Sequence, residues 1–323
     1  MNTIKKKNPQ KSFETAVLFL VFNRPNTTKQ VFKKISQIKP SKLYIACDGP
    51  RTEHEMERKK IEKVRQIVNK IDWPCNLKTL FRDKNLGCKK GVSSAISWFF
   101  SYEKQGIILE DDCVPHLDFF YFCENLLIYY SKDKRISAIT GNNFQNGRLV
   151  GNASYYFSKY THCWGWATWR RSWKNYDGEI KFWPHWKTLK SWKKIIPNKV
   201  EQKYWSNIFD HTKKKLNDSW AYPWIASVWY HNGFTVTPNV NLVSNIGFGK
   251  NASHTTIKND YLSNLKKKRL AAIIHPKLVK IDEEADSYVF EWIFGGRNLR
   301  FTRRLASYIK RKIIIFIKMI KND

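Results

Sequence analysis

Three adjacent carboxylates, Glu110, Asp111 and Asp112, close the apolar run Gly106-Ile107-Ile108-Leu109. Like charges this close repel one another, so a positive group belongs among them. Oxygen ligands of this kind suit a hard divalent cation, Mg²⁺ or Mn²⁺, that in turn holds phosphate oxygens. A diphosphate-bearing substrate follows from that chemistry. The same residues also fit a plainer role, a strand running out into a polar turn with Asp112 capping the helix that begins near Leu117. Acids are scarce in this chain, 27 Asp+Glu against 58 Lys+Arg, so a run of three is not drawn from an abundant background.

Strands and helices must place these acids. Residues 15–22, 42–47, 76–81 and 106–109 are apolar and strand-like, and they alternate with helical patterns over 28–38, 53–71, 88–102 and 117–130. Strands alternating with helices imply right-handed βαβ units and a mostly parallel central sheet flanked by helices, an α/β fold. In such sheets ligands bind just beyond the carboxyl ends of the strands. Those ends carry Asn23-Arg24-Pro25, Asp48-Gly49-Pro50-Arg51, Arg82-Asp83-Lys84-Asn85-Leu86-Gly87 and the acid triplet, which together outline a nucleotide-sized crevice. Arg24, Arg51 and Arg82 would meet phosphate or base edges there. A solvated surface charge is the alternative for each, and the preferred one for Arg51. Gly91, following Asn85-Leu86-Gly87, would open the next helix and admit close packing or a nucleotide.

The chain of 323 residues, 42% of them hydrophobic, is long enough to build a proper core. It shows no internal repeat and no low-complexity linker. It divides into a basic extension over 1–14, one domain over 15–260 with an aromatic-rich second half, and a basic helical region over 261–323. A formal charge of +31 attracts polyanions: nucleic acid, acidic lipid or phosphorylated sugars. A nucleic-acid binder or nuclease is the alternative this charge raises. Against it, the basic residues are dispersed, no nucleic-acid motif with its spacing appears, and a two-metal nuclease needs further acids near the triplet. No nucleic-acid partner is therefore expected.

The six cysteines form no CxxC pair and no zinc spacing with His, so they read as reduced and mostly buried, which fits a cytoplasmic setting. The start, MNTIKKKNPQKSF, lacks the apolar core of a secretory signal, and no stretch approaches the ~20 apolar residues of a spanning helix. From Arg297 to Asp323 there are nine Lys/Arg, with Leu305, Ile309, Ile313, Phe316, Ile317 and Ile320 at helical spacing. Such a helix either lies on the anionic inner face of the plasma membrane or packs on the domain. Eleven of the 14 Trp fall between Trp164 and Trp229. Sugar-ring stacking, core filling and membrane-interface anchoring are the roles open to them, with most expected to be structural. Lys, Asn and Ile richness with few cysteines fits a bacterial cytosolic enzyme.

Taken in order, these elements resemble those of GT-A-fold glycosyltransferases, in particular the N-acetylglucosaminyltransferase I group and its bacterial nucleotide-diphospho-sugar transferase relatives. The resemblance runs through Val21-Phe22-Asn23-Arg24, Asp48-Gly49, Asn85-Leu86-Gly87, Leu109-Glu110-Asp111-Asp112 with Asp118-Phe119-Phe120, Gly165-Trp166, Asp218-Ser219-Trp220 and the stretch from Ser244 to His254. It covers roughly residues 15–255, and the ordered series is far more specific than any one motif. It implies a metal-dependent, inverting transfer of a hexosyl or N-acetylhexosaminyl unit from a nucleoside-diphosphate sugar to a glycan or lipid-linked acceptor. By position, Asp112 is the implied ligand of Mn²⁺ or Mg²⁺, with Glu110 and Asp111 meeting the nucleoside or sugar. Asn23, Arg24, Asp48, Arg82, Asn85 and Gly91 complete the implied donor site. Asp218 is the implied base for the acceptor hydroxyl; an N-cap shared with Ser219 is its alternative. Asn217 stands where the family pattern can have a second acid. The loop from Ile246 to His254 is the implied cover over the donor. Its Gly247 and Gly249 would allow close backbone approach, and His254 would touch diphosphate or metal unless it is a structural hydrogen-bonding residue.

Overall fold

The computed structural model describes residues 13–51, 55–248 and 262–300. The first half of the chain alternates as its apolar pattern dictates: β1 (Val17–Val21), α1 (Pro25–Ile38), β2 (Lys42–Cys47), α2 (Glu55–Val68), β3 (Asn76–Phe81), α3 (Gly87–Tyr102) and β4 (Gln105–Glu110). Both faces of β1 are buried throughout, as its unbroken apolar sequence requires of a strand covered on two sides. Pro25 opens α1, where its missing N–H costs nothing, and Lys39 ends the helix in the left-handed conformation, its N–H donating to the carbonyl of Ile35.

The chain then forms β5 (Cys113–Pro115), α4 (Leu117–Tyr129), β6 (Ile136–Thr140), β7 (Tyr155–Ser158) and β8 (Trp166–Trp169). Short helices α5 (Arg170–Trp173), α6 (Trp183–Trp186) and α7 (Lys190–Ile195) lead to the longer α8 (Lys199–Lys213) and α9 (Ala221–Tyr230). Strands β9 (Phe234–Pro238) and β10 (Val243–Asn245) follow, and α10 (Glu283–Trp292) and α11 (Gly296–Leu299) close the described chain.

Eight strands form one mixed sheet in the order β3-β2-β1-β4-β8-β6-β9-β7. The β3-β2-β1-β4 side is wholly parallel; β8 then runs antiparallel to both β4 and β6, β9 lies parallel to β6, and β7 antiparallel to β9. Register brings the carboxyl ends of the parallel strands level: Leu20 pairs with Glu110, Val21 with Cys47, and Cys47 with Phe81. The expected α/β class, a large central sheet flanked by helices, is therefore the observed one.

Side-chain alternation along β1 feeds two cores. Val17, Phe19 and Val21 face α1, α2 and α4, whereas Leu18 and Leu20 face α3 and the Trp-rich layer of α8 and α9. Ten of the eleven Trp between 164 and 229 are buried, seven of the twelve largest fully buried side chains among the described residues are Trp, and of the eleven Trp164 alone stays half-exposed. Core filling is thus the work of this cluster. The segment after Leu262 returns over the sheet, where Asp286 of α10 accepts hydrogen bonds from Ser158 Oγ and the Lys159 N–H at the end of β7 (2.5 and 2.9 Å). No helix among the described residues is long and apolar enough to cross a membrane. The basic stretch over 301–323 lies outside the described residues.

Candidate active site

The acid triplet sits where β4 ends, beside the end of β1, and the positive group among the acids is Arg24. Its guanidinium reaches Asp111 Oδ1 at 3.3 Å and Asp112 Oδ2 at 2.5 Å, and Asp111 Oδ2 accepts the N–H of Phe22 at 3.3 Å. Burial raises the carboxyl pKa of Glu110, and the charges of Asp112 and Asp111 raise it further, with Arg24 opposing. Asp111 is raised by burial as well, against the pull of Arg24. For Arg24, burial disfavours the charged form, but the three acids outweigh it and hold the pKa above its ordinary value. Asp112 does not cap the following helix; His116 does, its Nδ1 accepting the N–H of Asp118.

A cleft of about 420 Å³ opens over these tips, lined by Arg24, Asp48, Arg51, Arg82, Asn85, Gly91, Glu110, Asp111 and Asp218. That volume lies within the usual range for small-molecule sites. Asp48 Oδ2 accepts the Leu86 N–H at 2.8 Å, and Gly91 in the first turns of α3 faces the same oxygen. Among the described residues Asp48 Oδ1 is buried without a hydrogen-bond partner, and Arg82 stands 3.9 Å from it. Burial raises the Asp48 pKa against the Leu86 hydrogen bond and the Arg82 charge. Asn85 ties the β2 and β3 tips together, donating to the Gly49 carbonyl and accepting from Gly87 N–H, both at 3.0 Å.

Asn23 turns away from the cleft and donates to Glu57 Oε1 at 2.7 Å. Glu57 also receives the Arg51 guanidinium at 2.5 Å and the Arg51 N–H at 2.8 Å. Arg51 is therefore fixed at the cleft wall rather than merely solvated. Glu57 is a buried acid that sequence reasoning passed over. The signal was present: residues 57, 61, 64 and 68 form one stripe of α2, and the other three are apolar and buried.

A second, smaller cleft of about 180 Å³ shares Arg24 and Glu110 with the first and adds Asp112, Trp164, Trp220, Gly247 and Phe248. Strand β10 pairs antiparallel with β5, which directly follows the acids, and the Ile246 N–H donates to the Asp112 carbonyl at 2.9 Å. The backbone of residue 247 thereby lies against Asp112, and a Cβ there would stand 2.0 Å from Asp112 Oδ2. Only glycine permits that approach. Gly249 and His254 lie outside the described residues.

Asp218 does cap a helix, but not the one that follows it. Its Oδ2 accepts the Cys88 N–H at 2.7 Å and its Oδ1 the Lys89 N–H at 3.0 Å, filling the amino end of α3 from 130 residues away. Ser219 Oγ meanwhile accepts the Ala221 N–H. Asn217 donates to Thr212 Oγ1 at 3.0 Å.

No group of three His, Cys, Asp or Glu side chains is arranged to hold a metal among the described residues. Asp112 offers one carboxylate, with Oδ2 on Arg24 and Oδ1 3.4 Å from the Cys113 thiol. One carboxylate suits Mg²⁺ or Mn²⁺ of the kind held mainly by substrate phosphates and water, and does not suit a cation caged by protein alone.

No family model and no curated protein matches the sequence. Among solved structures the chain is similar to HddC from Yersinia pseudotuberculosis, with TM-score 0.33 and 10% identity over 53% of this chain and 85% of that one. It is similar to a 4-diphosphocytidyl-2C-methyl-D-erythritol synthase from Anaerococcus prevotii, with TM-score 0.30 and 7% identity over 49% and 72%. A UDP-glucose pyrophosphorylase complexed with UDP-glucose aligns with TM-score 0.26 and 8% identity over 50% and 70%.

Proposed function

We propose that this protein is a glycosyltransferase that moves a sugar from a nucleoside diphosphate to a glycan or lipid-linked acceptor, with inversion and with Mg²⁺ or Mn²⁺. The observation that carries this reading is the meeting, around one cleft, of a charged tip set and a carboxylate from the far side of the chain. Arg24, Arg82, Asp48, Glu110 and Asp111 line it from the strand ends, and Asp218 reaches it by capping the amino end of α3. Asp48 Oδ1, a buried acceptor lacking a donor, suits a base or ribose that brings one.

In the proposed reaction the acceptor oxygen attacks the anomeric carbon, its proton passes to Asp218, and the bond to the diphosphate breaks with its electrons leaving on the phosphate oxygen. The two α3 amides fix the Asp218 carboxylate in orientation while leaving lone pairs for that proton. A positioned carboxylate contributes roughly 10²- to 10⁴-fold to such a step. Arg24 and Arg82 would meet the developing negative charge, and Asp112 would hold the cation. When bound, that cation supplies Lewis-acid stabilisation of the leaving diphosphate.

Thermal-shift titration with UDP-, GDP- and CDP-sugars, with and without Mn²⁺, tests the reading, because a ligand of the native state raises apparent stability. One nucleotide series should raise the melting temperature, more so with Mn²⁺; no response to any of them overturns the proposal. Asp112→Ala should abolish metal-dependent donor hydrolysis and transfer, whereas Asp218→Asn should keep donor binding and lose transfer. Full transfer activity in either variant removes that residue from the mechanism.

A further inference from the structure

Asp218 borders a third cleft as well. Helical spacing puts Cys88, Gly91 and Ala95 of α3 on the side of the 420 Å³ cleft, and turns Lys89, Lys90 and Ser93 into a separate cleft of about 590 Å³. The wall opposite α3 is Gly178, Glu179, Lys215 and Asn217, with Asp218 common to both spaces. A base that serves two substrates must face both, and Asp218 is the residue where the clefts meet.

Charge distinguishes this cleft. Lys89 and Lys215 converge on the single acid Glu179, at 3.3 and 3.5 Å, and Lys213 Nζ donates to the Glu179 carbonyl at 3.2 Å. Lys90 is exposed at the rim and makes no ion pair among the described residues. Both acids present are already engaged, Glu179 by two ammonium groups and Asp218 by the amides of α3. The excess is positive, so the cleft favours a negatively charged occupant.

We propose that this cleft receives the acceptor, and that the acceptor carries a carboxylate or phosphate beside the hydroxyl that Asp218 deprotonates. An acidic sugar or a sugar phosphate meets that description. The inference rests on the glycosyltransferase reading, so its test keeps the two separable.

The 323-residue chain is titrated with methyl glucuronide, glucose 6-phosphate and methyl glucoside, followed by saturation-transfer NMR, and in parallel with UDP, GDP and CDP. At least one anionic probe should bind about tenfold or more tighter than the neutral glucoside, and its preference for carboxylate or phosphate names the source of the charge. The double variant Lys90→Glu with Lys215→Glu should weaken that probe by about tenfold or more, as should high salt. Lys215 is 73% exposed at its side chain and Lys90 is exposed, and the melting temperature reports whether the variant folds. Equal binding of charged and neutral probes, or anionic binding unmoved by both charge reversal and salt, overturns the acceptor assignment. If any one of these nucleotides binds while no sugar probe does, the acceptor assignment falls and the donor reading stands. If no nucleotide binds but the anionic probes do, the glycosyltransferase reading falls and the acceptor role with it.

Discussion

Arg24 answers the electrostatic demand of three consecutive carboxylates, and its 2.5 Å contact with Asp112 couples the ends of β1 and β4. A comparable pair lies one strand away in Glu57 and Arg51. Burial alone would raise the Glu57 pKa, but hydrogen bonds from the Arg51 side chain and backbone and from Asn23 outweigh it and bring it down to about 2. A depressed carboxyl pKa contributes stability that is full above the unfolded value of 4.5 and lost as pH falls toward about 2. Glu57→Gln should therefore cost on the order of 1–2 kcal/mol near neutral pH, allowing for the half-exposed Arg51, and progressively less in urea melts between those two pH values. A gap that stays constant on acidification would show that the ion pair is not its cause. Gly247→Ala is expected to displace the Asp112 carboxylate, since its added Cβ has no room beside Oδ2. Mn²⁺-dependent stabilisation by nucleotide should be lost at near-unchanged melting temperature; retention of both would show that the loop yields instead.

At the scale of elements, the sequence was readable wherever an apolar period ran for a full strand or helix. All four parallel strands and the helices between them appear within a few residues of expectation, and with them the strand tips that line the cleft. Two features escaped for physical reasons. The β5–β10 ribbon has three residues on each strand, too few for any period to register, yet it sets residue 247 on Asp112. The partner of Asp218 is a set of backbone amides 130 residues away, and no local pattern encodes such a meeting. Sequence spacing offered Asp218 a cap on its own helix, and the fold gave it another. Asp218→Ala should accordingly destabilise the protein by about 1 kcal/mol, as lost caps do, with faster hydrogen exchange at the amides of Cys88 and Lys89. Unchanged exchange there would mean that water replaces the carboxylate without loss.

For the molecule as a whole, the aromatic second half is a structural layer more than a binding surface. Trp205 is fully buried between Tyr160, Phe209 and Trp229, and Trp205→Ala is expected to cost about 3–5 kcal/mol in denaturant melts. A cost below about 1 kcal/mol would show that the layer repacks freely. The formal charge of +31 acts at longer range. The chain should co-sediment with anionic vesicles at low salt and release at high salt, and deleting 301–323 measures how much of that binding the basic terminus carries. Unaltered sedimentation of the shortened chain would assign it to the folded surface. The clasp of Asp218 on α3 adds an ordering in time. During synthesis the amino end of α3 cannot receive this cap until residue 218 has left the ribosome, so one contact between distant parts of the chain sets both the α3 rim of the 420 Å³ cleft and the Asp218 carboxylate in place.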